Sequence, residues 1–126
     1  MIRGIGVDIL EIARMRRSVE SLGETFLERV FTPGEISYCS ARADSHQHYA
    51  ARFASKEAVS KAMATGWAGG FRWLDVEVRN TPAGKPEVLL HGRMARILAD
   101  SRILLSISHS ETHVVAVAVI ESAPSA

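Results

Sequence analysis

The 126-residue sequence has very little cysteine and no long apolar run, and each scarcity excludes a class of protein. Its one cysteine, Cys39, cannot form an internal disulfide, and a lone thiol is typical of a reducing compartment. The longest apolar run, Val114 to Ile120, has seven residues, whereas a membrane-spanning helix needs about 20. The N-terminus lacks the pattern of a secretory signal. We therefore expect a cytoplasmic protein with no membrane segment.

The sequence also lacks a strong charge of either sign. Fifteen Lys and Arg residues against 14 Asp and Glu residues give a net charge of +1, which implies no general attraction to nucleic acid. Twelve of the 15 cations are arginine, which suits bidentate binding of phosphate, although genome composition can produce the same bias. Length and composition fit one globular domain. We expect a domain over residues 1–121 and a flexible tail over residues 122–126.

A period-two pattern at the start of the chain predicts a strand. Residues Ile2 to Ile9 alternate apolar side chains with Gly4, Gly6 and Asp8. The two glycines leave one side of this strand bare, so a backbone or ligand can approach it closely. Asp8 is then the only functional group on that side.

Helical patterns follow. Apolar residues at three- and four-residue steps predict a helix from Ala13 to Val30, with Gly23 as a weak point. Thr32, Pro33 and Glu35 are three helix-start signals in a row, and they predict a short second helix. The segment from residue 48 to 63 has no Gly or Pro and predicts a third helix.

Strand patterns dominate the second half. The order of apolar, turn and apolar residues predicts a hairpin over residues 74–90, a short helix over 92–100, and a strand pair formed by 103–108 and 114–120. The last of these strands is apolar at every position, so both of its faces should be covered, either by helices or by another subunit. The predicted class is α+β: one compact domain, mainly antiparallel sheet packed against a long helix.

Spacing on the third helix places charged residues in pairs. Glu57 and Lys61 lie one turn apart, and Arg52 and Lys56 share an adjoining face. In the simple interpretation, Glu57 and Lys61 form an exposed pair worth about 0.3 to 0.5 kcal/mol. The alternative is an anion site, since three cations and one carboxylate before a glycine-rich turn can hold a polyphosphate and a divalent ion.

Asp8 and the segment from Ser108 to Ser110 are further candidates for a functional site. Asp8 can be a strand-end turn residue, or the second carboxylate of a magnesium site with Glu57, because magnesium usually takes one or two protein carboxylates. Ser108, His109 and Ser110 follow a predicted strand and offer hydroxyls and an imidazole. They can equally form a solvated turn, since adjacent strand residues point to opposite faces.

The order of these segments resembles holo-acyl-carrier-protein synthases, the small trimeric class of 4′-phosphopantetheinyl transferases. The match covers most of the chain, and five blocks occur in the family's order. They are Gly4-Ile5-Gly6-Val7-Asp8-Ile9, Phe31-Thr32 with Glu35, Ala51-Arg52-Phe53-Ala54-Ser55-Lys56-Glu57-Ala58 with Lys61 and Thr65-Gly66, Gly84-Lys85-Pro86, and Ser106-Ile107-Ser108-His109-Ser110. Ala64 departs from the glycine that the family more often has there.

The resemblance implies an activity. Such an enzyme moves the phosphopantetheine arm of coenzyme A onto a serine of an apo acyl carrier protein and releases adenosine 3′,5′-bisphosphate. It implies magnesium held by Asp8 and Glu57, with Glu57 or a metal-bound water as the general base. Lys61 would stabilise the departing phosphate, and Arg14 and Arg17 would meet the acidic carrier.

The resemblance also implies a binding set and an assembly. The residues implied to bind coenzyme A are Arg52, Lys56, Gly66, Gly84, Lys85, Pro86, Ser108, His109 and Ser110. The implied assembly is a homotrimer in which neighbouring subunits share each site. Two other functions stay open at this point: a magnesium-dependent hydrolase of coenzyme A-like pyrophosphates, and a non-catalytic coenzyme A-binding module.

Overall fold

The computed structural model describes residues 1–64 and 70–123 and confirms the predicted α+β class. Gly66, and residues 124–126 of the predicted tail, lie outside these ranges. The elements, in chain order, are β1 (Ile2–Glu11), α1 (Ile12–Val30), α2 (Pro33–Ser40), α3 (Ser45–Met63), a 3₁₀ turn (Trp73–Asp75), β2 (Val76–Asn80), β3 (Pro86–Leu90), α4 (Gly92–Ile97), β4 (Ser101–His109) and β5 (His113–Ser122).

The main sheet has three antiparallel strands in the order β1, β5, β4, and α3 packs across one face of it. Close packing depends on the bare side of β1. A Cβ at Gly4 would lie 2.0 Å from the carbonyl oxygen of Ala62, and one at Gly6 would lie 1.9 Å from that of Ala58. These glycines therefore let the helix backbone contact the strand directly, as the sequence predicted.

The two faces of this sheet differ. On β5, the side chains toward α3 are fully buried, and they are Val114, Ala116, Ala118 and Ile120. The opposite face carries Ile5, Val7 and Ile9 of β1, which are 61%, 53% and 67% exposed. Both faces of β5 were expected to be covered. α3 covers one face, and no element within the described ranges of the single chain covers the other.

The first two helices follow their local signals. In α1, Gly23 has non-helical dihedrals (φ 64°, ψ −150°), so the helix is kinked at its predicted weak point. At the start of α2, the Thr32 hydroxyl accepts from the Glu35 amide, and the Glu35 carboxylate accepts from the Thr32 amide. This capping box confirms the predicted helix start.

Several boundaries differ from the prediction. α3 begins at Ser45, three residues before the predicted start, and α4 ends at Ile97 rather than near residue 100. The predicted strand over residues 74–79 begins with a 3₁₀ turn, and β2 and β3 then form the expected antiparallel hairpin. β5 continues to Ser122, the first residue of the predicted tail, because Ser122 pairs with Ser101 and its amide donates to the Met1 carbonyl.

None of the helices within the described ranges combines the length and the apolar character that crossing a bilayer requires.

Candidate active site

A cavity of about 310 Å³ between β1, α1 and α3 brings two carboxylates together. Asp8 comes from the strand and Glu57 from the helix, and Arg14 of α1 lines the same space. The apolar part of the lining comes from Met15, Phe26 and Phe53. The predicted pairing of Asp8 with Glu57 at one site therefore has a structural basis, although 49 residues separate them in the chain.

Lys61 contacts Asp8, not Glu57. Its ammonium donates to Asp8 Oδ1 at 2.9 Å and to the Val7 carbonyl at 3.2 Å. This ion pair raises the pKa of Lys61, first through the hydrogen bond and then through the charge of Asp8. The simple interpretation, an exposed pair between Glu57 and Lys61 along the helix, is therefore wrong: the lysine leans across to the strand.

Glu57 has no hydrogen-bond donor within residues 1–64 and 70–123. Burial raises its pKa, and the nearby charge of Asp8 raises it further. Two carboxylates that repel one another at a cavity wall are a donor set that suits a hard divalent cation, which needs only one or two of them. No cluster of three or more potential metal ligands occurs in the described parts of the chain.

A second cavity, of about 270 Å³, is lined in part by Arg52. Gly84 and Pro86 of the hairpin and His109 at the end of β4 line it, as does Asn80. We call it the arginine pocket. The structure thus brings together four of the residues that the resemblance assigned to coenzyme A: Arg52, Gly84, Pro86 and His109.

Arg52 is held rigidly but is not fully satisfied. Its side chain is only 3% exposed, its Nη2 donates to Asn80 Oδ1 at 3.1 Å, and its guanidinium lies 4.4 Å from the centre of the Tyr38 ring. Its Nε is buried with no hydrogen-bond partner in the described chain. A buried charged donor without an acceptor is costly, so this atom indicates a missing acceptor such as a phosphate oxygen.

The two cavities lie on different sides of α3. Arg52 and Glu57 are five residues apart, which places them about 140° apart around a helix and about 7.5 Å apart along it. One chain therefore presents a carboxylate site and an arginine pocket that face different directions.

The expectation that Lys56 binds phosphate does not fit the structure. Its ammonium is completely buried and donates to Glu35 Oε1 at 2.7 Å, to the Val30 carbonyl at 2.6 Å and to the Trp73 carbonyl at 3.1 Å. These three bonds use all of its donors. Burial lowers the pKa of Lys56, and the charge of Glu35 partly offsets that effect. Lys56 therefore links α3 to α1, α2 and the 3₁₀ turn, and we no longer include it among the residues that bind coenzyme A.

The remaining predicted residues lie around these two cavities. Ser108 and Ser110 line a third depression, of about 290 Å³, which His109 also borders. Ser110 Oγ accepts from the amides of Thr112 and His113, so this hydroxyl also fixes the turn before β5. Lys85 is exposed at the tip of the hairpin turn.

The two α1 arginines that were predicted to meet the carrier, Arg14 and Arg17, differ. Arg14 lines the carboxylate cavity, whereas Arg17 forms a 3.5 Å ion pair with Glu11. Both side chains are on the exposed surface of the helix, so a basic surface adjoins the carboxylate site.

Three residues organise this region in ways that the sequence did not predict. Glu35 receives Lys56 on one oxygen and the Val78 amide on the other at 2.8 Å. Tyr38 and Asn80 hold Arg52. The capping box named Glu35, but a local motif gives no sign of a partner 21 residues away.

Comparisons with known proteins identify the family of the chain. Residues 4–118 match the 4′-phosphopantetheinyl transferase superfamily. A holo-[acyl-carrier-protein] synthase of Solibacter usitatus is 50% identical over 113 residues, which cover 87% of this chain and 90% of that protein. One from Koribacter versatilis is 44% identical over 124 residues, or 96% of this chain and 99% of that protein.

Solved structures of the same family have a similar fold over nearly the whole chain. The holo-[acyl-carrier-protein] synthase of Neisseria meningitidis superposes with a TM-score of 0.87 at 34% identity, over 97% of this chain and all of that one. A Bacillus anthracis synthase, solved in complex with CoA (3′,5′-ADP), gives a TM-score of 0.81 at 37% identity, over 98% and 99%. The resemblance read from the five sequence blocks is thereby confirmed, and the chain belongs to the 4′-phosphopantetheinyl transferase superfamily.

Proposed function

We propose that this protein is a holo-acyl-carrier-protein synthase that transfers the 4′-phosphopantetheine arm of coenzyme A to a serine of an apo acyl carrier protein, with adenosine 3′,5′-bisphosphate as the leaving product. The observation that carries this proposal is the pair of complementary cavities on α3. One is lined by two carboxylates, of which Asp8 carries the Lys61 ammonium, and the other is lined by a buried arginine whose Nε has no acceptor among the described residues.

Asp8 and Glu57 would hold the magnesium ion. When bound, that ion would neutralise charge on the pyrophosphate of coenzyme A. The support is the donor set itself: two carboxylates share a cavity, and the charge of Asp8 disfavours ionisation of Glu57, a repulsion that a bound cation would relieve. The cofactor is thus part of the proposal, and the co-substrate is coenzyme A.

The reaction breaks one phosphorus–oxygen bond and forms another. The serine oxygen of the carrier attacks the phosphorus that bears pantetheine, and the bridging oxygen leaves with adenosine 3′,5′-bisphosphate. Glu57, or a metal-bound water that it orients, would accept the serine proton, and no donor occupies the Glu57 oxygens in the described chain. Lys61, one turn away, can offer positive charge to the departing phosphate.

The arginine pocket would bind the nucleotide end of coenzyme A. Its unsatisfied Arg52 Nε can donate to a phosphate oxygen, while Gly84, Pro86 and His109 shape the walls. Ser108, Ser110 and Lys85 adjoin this region and complete the proposed set. The Bacillus anthracis relative and one from Helicobacter pylori were both solved with CoA, which supports the same ligand here.

The acidic carrier would dock on the exposed surface of α1. Arg14 lies at the rim of the carboxylate cavity, and Arg17 lies one turn farther along. Complementary charge of this kind accelerates encounter more than it tightens the final complex. The carrier serine would then enter the cavity beside Glu57.

We further propose a cytoplasmic homotrimer. The open sheet face with Ile5, Val7 and Ile9 supports association, since these side chains are more than half exposed in one chain. In a ring, each interface is heterologous, so the carboxylate site of one subunit can meet the arginine pocket of the next. Mixing Glu57→Gln with Arg52→Ala subunits should then restore about a quarter of wild-type activity if exchange is random. A monomer in sedimentation would refute this assembly.

The transfer is tested by intact mass spectrometry of an apo acyl carrier protein incubated with coenzyme A, magnesium and this enzyme. The expected result is a carrier heavier by one phosphopantetheine group. A second reaction without the carrier measures release of free phosphopantetheine, which a hydrolase would produce. An unmodified carrier with bound but uncleaved coenzyme A would instead indicate a binding module.

A further inference from the structure

The two carboxylates of the active site are not equivalent. Asp8 already has a cation, because the Lys61 ammonium donates to its Oδ1 at 2.9 Å. Glu57 has no hydrogen-bond donor within the described residues. The lysine is also the more exposed partner, since its side chain is 53% exposed and that of Asp8 is 15% exposed.

A magnesium ion held by Asp8 and Glu57 would compete with Lys61 for the Asp8 carboxylate. Magnesium binds oxygen at about 2.0 to 2.1 Å and requires near-octahedral geometry, so an ammonium on the same carboxylate would crowd and repel it. Lysine is attached by a flexible four-carbon stem and can reorient into solvent or toward a nearby phosphate. Its second bond, to the Val7 carbonyl at 3.2 Å, lies at the long end of the usual range.

We propose that Lys61 is the resident counter-ion of Asp8, that a divalent cation displaces it, and that the displaced ammonium becomes available to the phosphates of coenzyme A. The inference rests on the proposed function for the location of the metal. It assigns Lys61 two successive partners rather than one fixed role. Because a coupling between two ligands is reciprocal, magnesium should then tighten coenzyme A binding and coenzyme A should tighten magnesium binding.

The displacement can be observed directly because the sequence contains only three lysines: Lys56, Lys61 and Lys85. Lysine labelled with ¹³C and ¹⁵N gives three sets of side-chain NMR signals. Titration of the metal-free protein with magnesium chloride should shift the Lys61 signals and leave the others in place. Lys56, locked to Glu35, and Lys85, exposed on the hairpin, are internal controls. In Asp8→Asn, the Lys61 signals should differ from wild type without magnesium and should not respond to it.

Metal affinity provides the matching measurement. Binding of Mn²⁺ is followed by electron paramagnetic resonance without coenzyme A or carrier. Lys61→Met should bind Mn²⁺ about three- to tenfold more tightly than wild type, since the metal no longer competes with a surface ion pair. The matched control is Arg14→Met, which removes a positive charge from the same cavity without a contact to Asp8 in the structure; it should change the affinity less than twofold.

The outcomes separate the inference from the proposed function. If Mn²⁺ binds wild type and is lost in Glu57→Gln, but Lys61→Met binds it no more tightly, the counter-ion role is overturned and the metal site remains. Unmoved Lys61 signals at saturating magnesium overturn it as well. An equal gain in Arg14→Met would mean that only general charge matters, which also overturns it. If wild type binds no Mn²⁺, the counter-ion role and the metal site both fail, and the transfer itself is still decided by mass spectrometry of the carrier.

Discussion

Lys56 and Glu57 are neighbours in the sequence and belong to opposite environments. The Lys56 ammonium is fully buried, and its three donors are all used by Glu35 and two carbonyls. The Glu57 carboxylate borders an open cavity, and no donor in the described chain satisfies it. The first group is held by its surroundings, and the second is available to a ligand.

The difference shows how a single helix can combine stability with reactivity. Successive helical residues point about 100° apart, so one residue can face the interior and the next a cavity. Complete satisfaction of a buried charge fixes the helix in place, because removing either partner leaves an uncompensated charge. A binding or catalytic group instead needs a polar atom that no protein group occupies. Glu57 and Arg52 each have such an atom among the described residues.

The sharpest way to break the comparison is to neutralise the available group. Glu57→Gln, and separately Asp8→Asn, should lower the rate of carrier modification by about a hundredfold or more, because each removes a charge on which proton transfer and metal binding depend. The melting temperature should stay within a few degrees of wild type, since neither carboxylate anchors the core. Single-turnover mass spectrometry and thermal unfolding measure the two effects. Wild-type turnover at low magnesium in either variant would exclude the site.

Removing Lys56, the fully hydrogen-bonded group, should lower stability rather than the reaction rate. Lys56→Met leaves Glu35 buried without its cation and should lower the free energy of unfolding by about 3 to 5 kcal/mol. The double variant Glu35→Gln with Lys56→Met should lose less than the sum of the two single variants, because no charge is then left unpaired. Denaturant unfolding measures all three. Strict additivity would mean that the pair does not act as a unit.

Lys61 lies between the extremes of Lys56 and Glu57. It is charged and exposed, and we propose that it contacts Asp8 and then a coenzyme A phosphate. Lys61→Ala should lower kcat by about ten- to a hundredfold through loss of charge at the departing phosphate. Its effect on coenzyme A affinity should be smaller. Steady-state kinetics and calorimetry separate the two quantities. A change confined to KM would reduce Lys61 to a phosphate-binding residue.

The smallest expected effect concerns the exposed charges of α1. Arg14→Glu with Arg17→Glu should raise the KM for the carrier several-fold and flatten its salt dependence, with coenzyme A affinity nearly unchanged. The matched control, Arg93→Glu with Arg96→Glu on α4, makes the same change in net charge at another exposed site. Equal effects of the two double variants would show that overall charge, not docking on α1, governs the encounter.

Local signals in the sequence predicted much of the fold. The capping box at Thr32 and the bare side of β1 were both confirmed, because each depends on residues adjacent in the chain or on one strand. The kink at Gly23 was confirmed for the same reason. These features are set by backbone geometry and short-range hydrogen bonds.

The candidate site was only partly predictable. Spacing placed Glu57 one turn from Lys61, but it gave no sign that Lys61 would lean across to Asp8, 53 residues away. Spacing also grouped Lys56 with Arg52, yet it did not reveal that their side of α3 is buried. The helix is covered by the sheet, α1 and α2, so charge on it does not mark a solvent-exposed face.

The most direct test of the central claim compares Lys56→Met and Glu57→Gln in one experiment. The single-turnover rate of carrier modification is measured per folded molecule, at a temperature where the folded fraction of each variant is known. Lys56→Met should keep a rate within several-fold of wild type despite its lower stability, and Glu57→Gln should lose about a hundredfold or more while remaining as stable as wild type. A Glu57→Gln enzyme at full rate, or a fully folded Lys56→Met enzyme without activity, would contradict the division of α3 into a structural side and a reactive side.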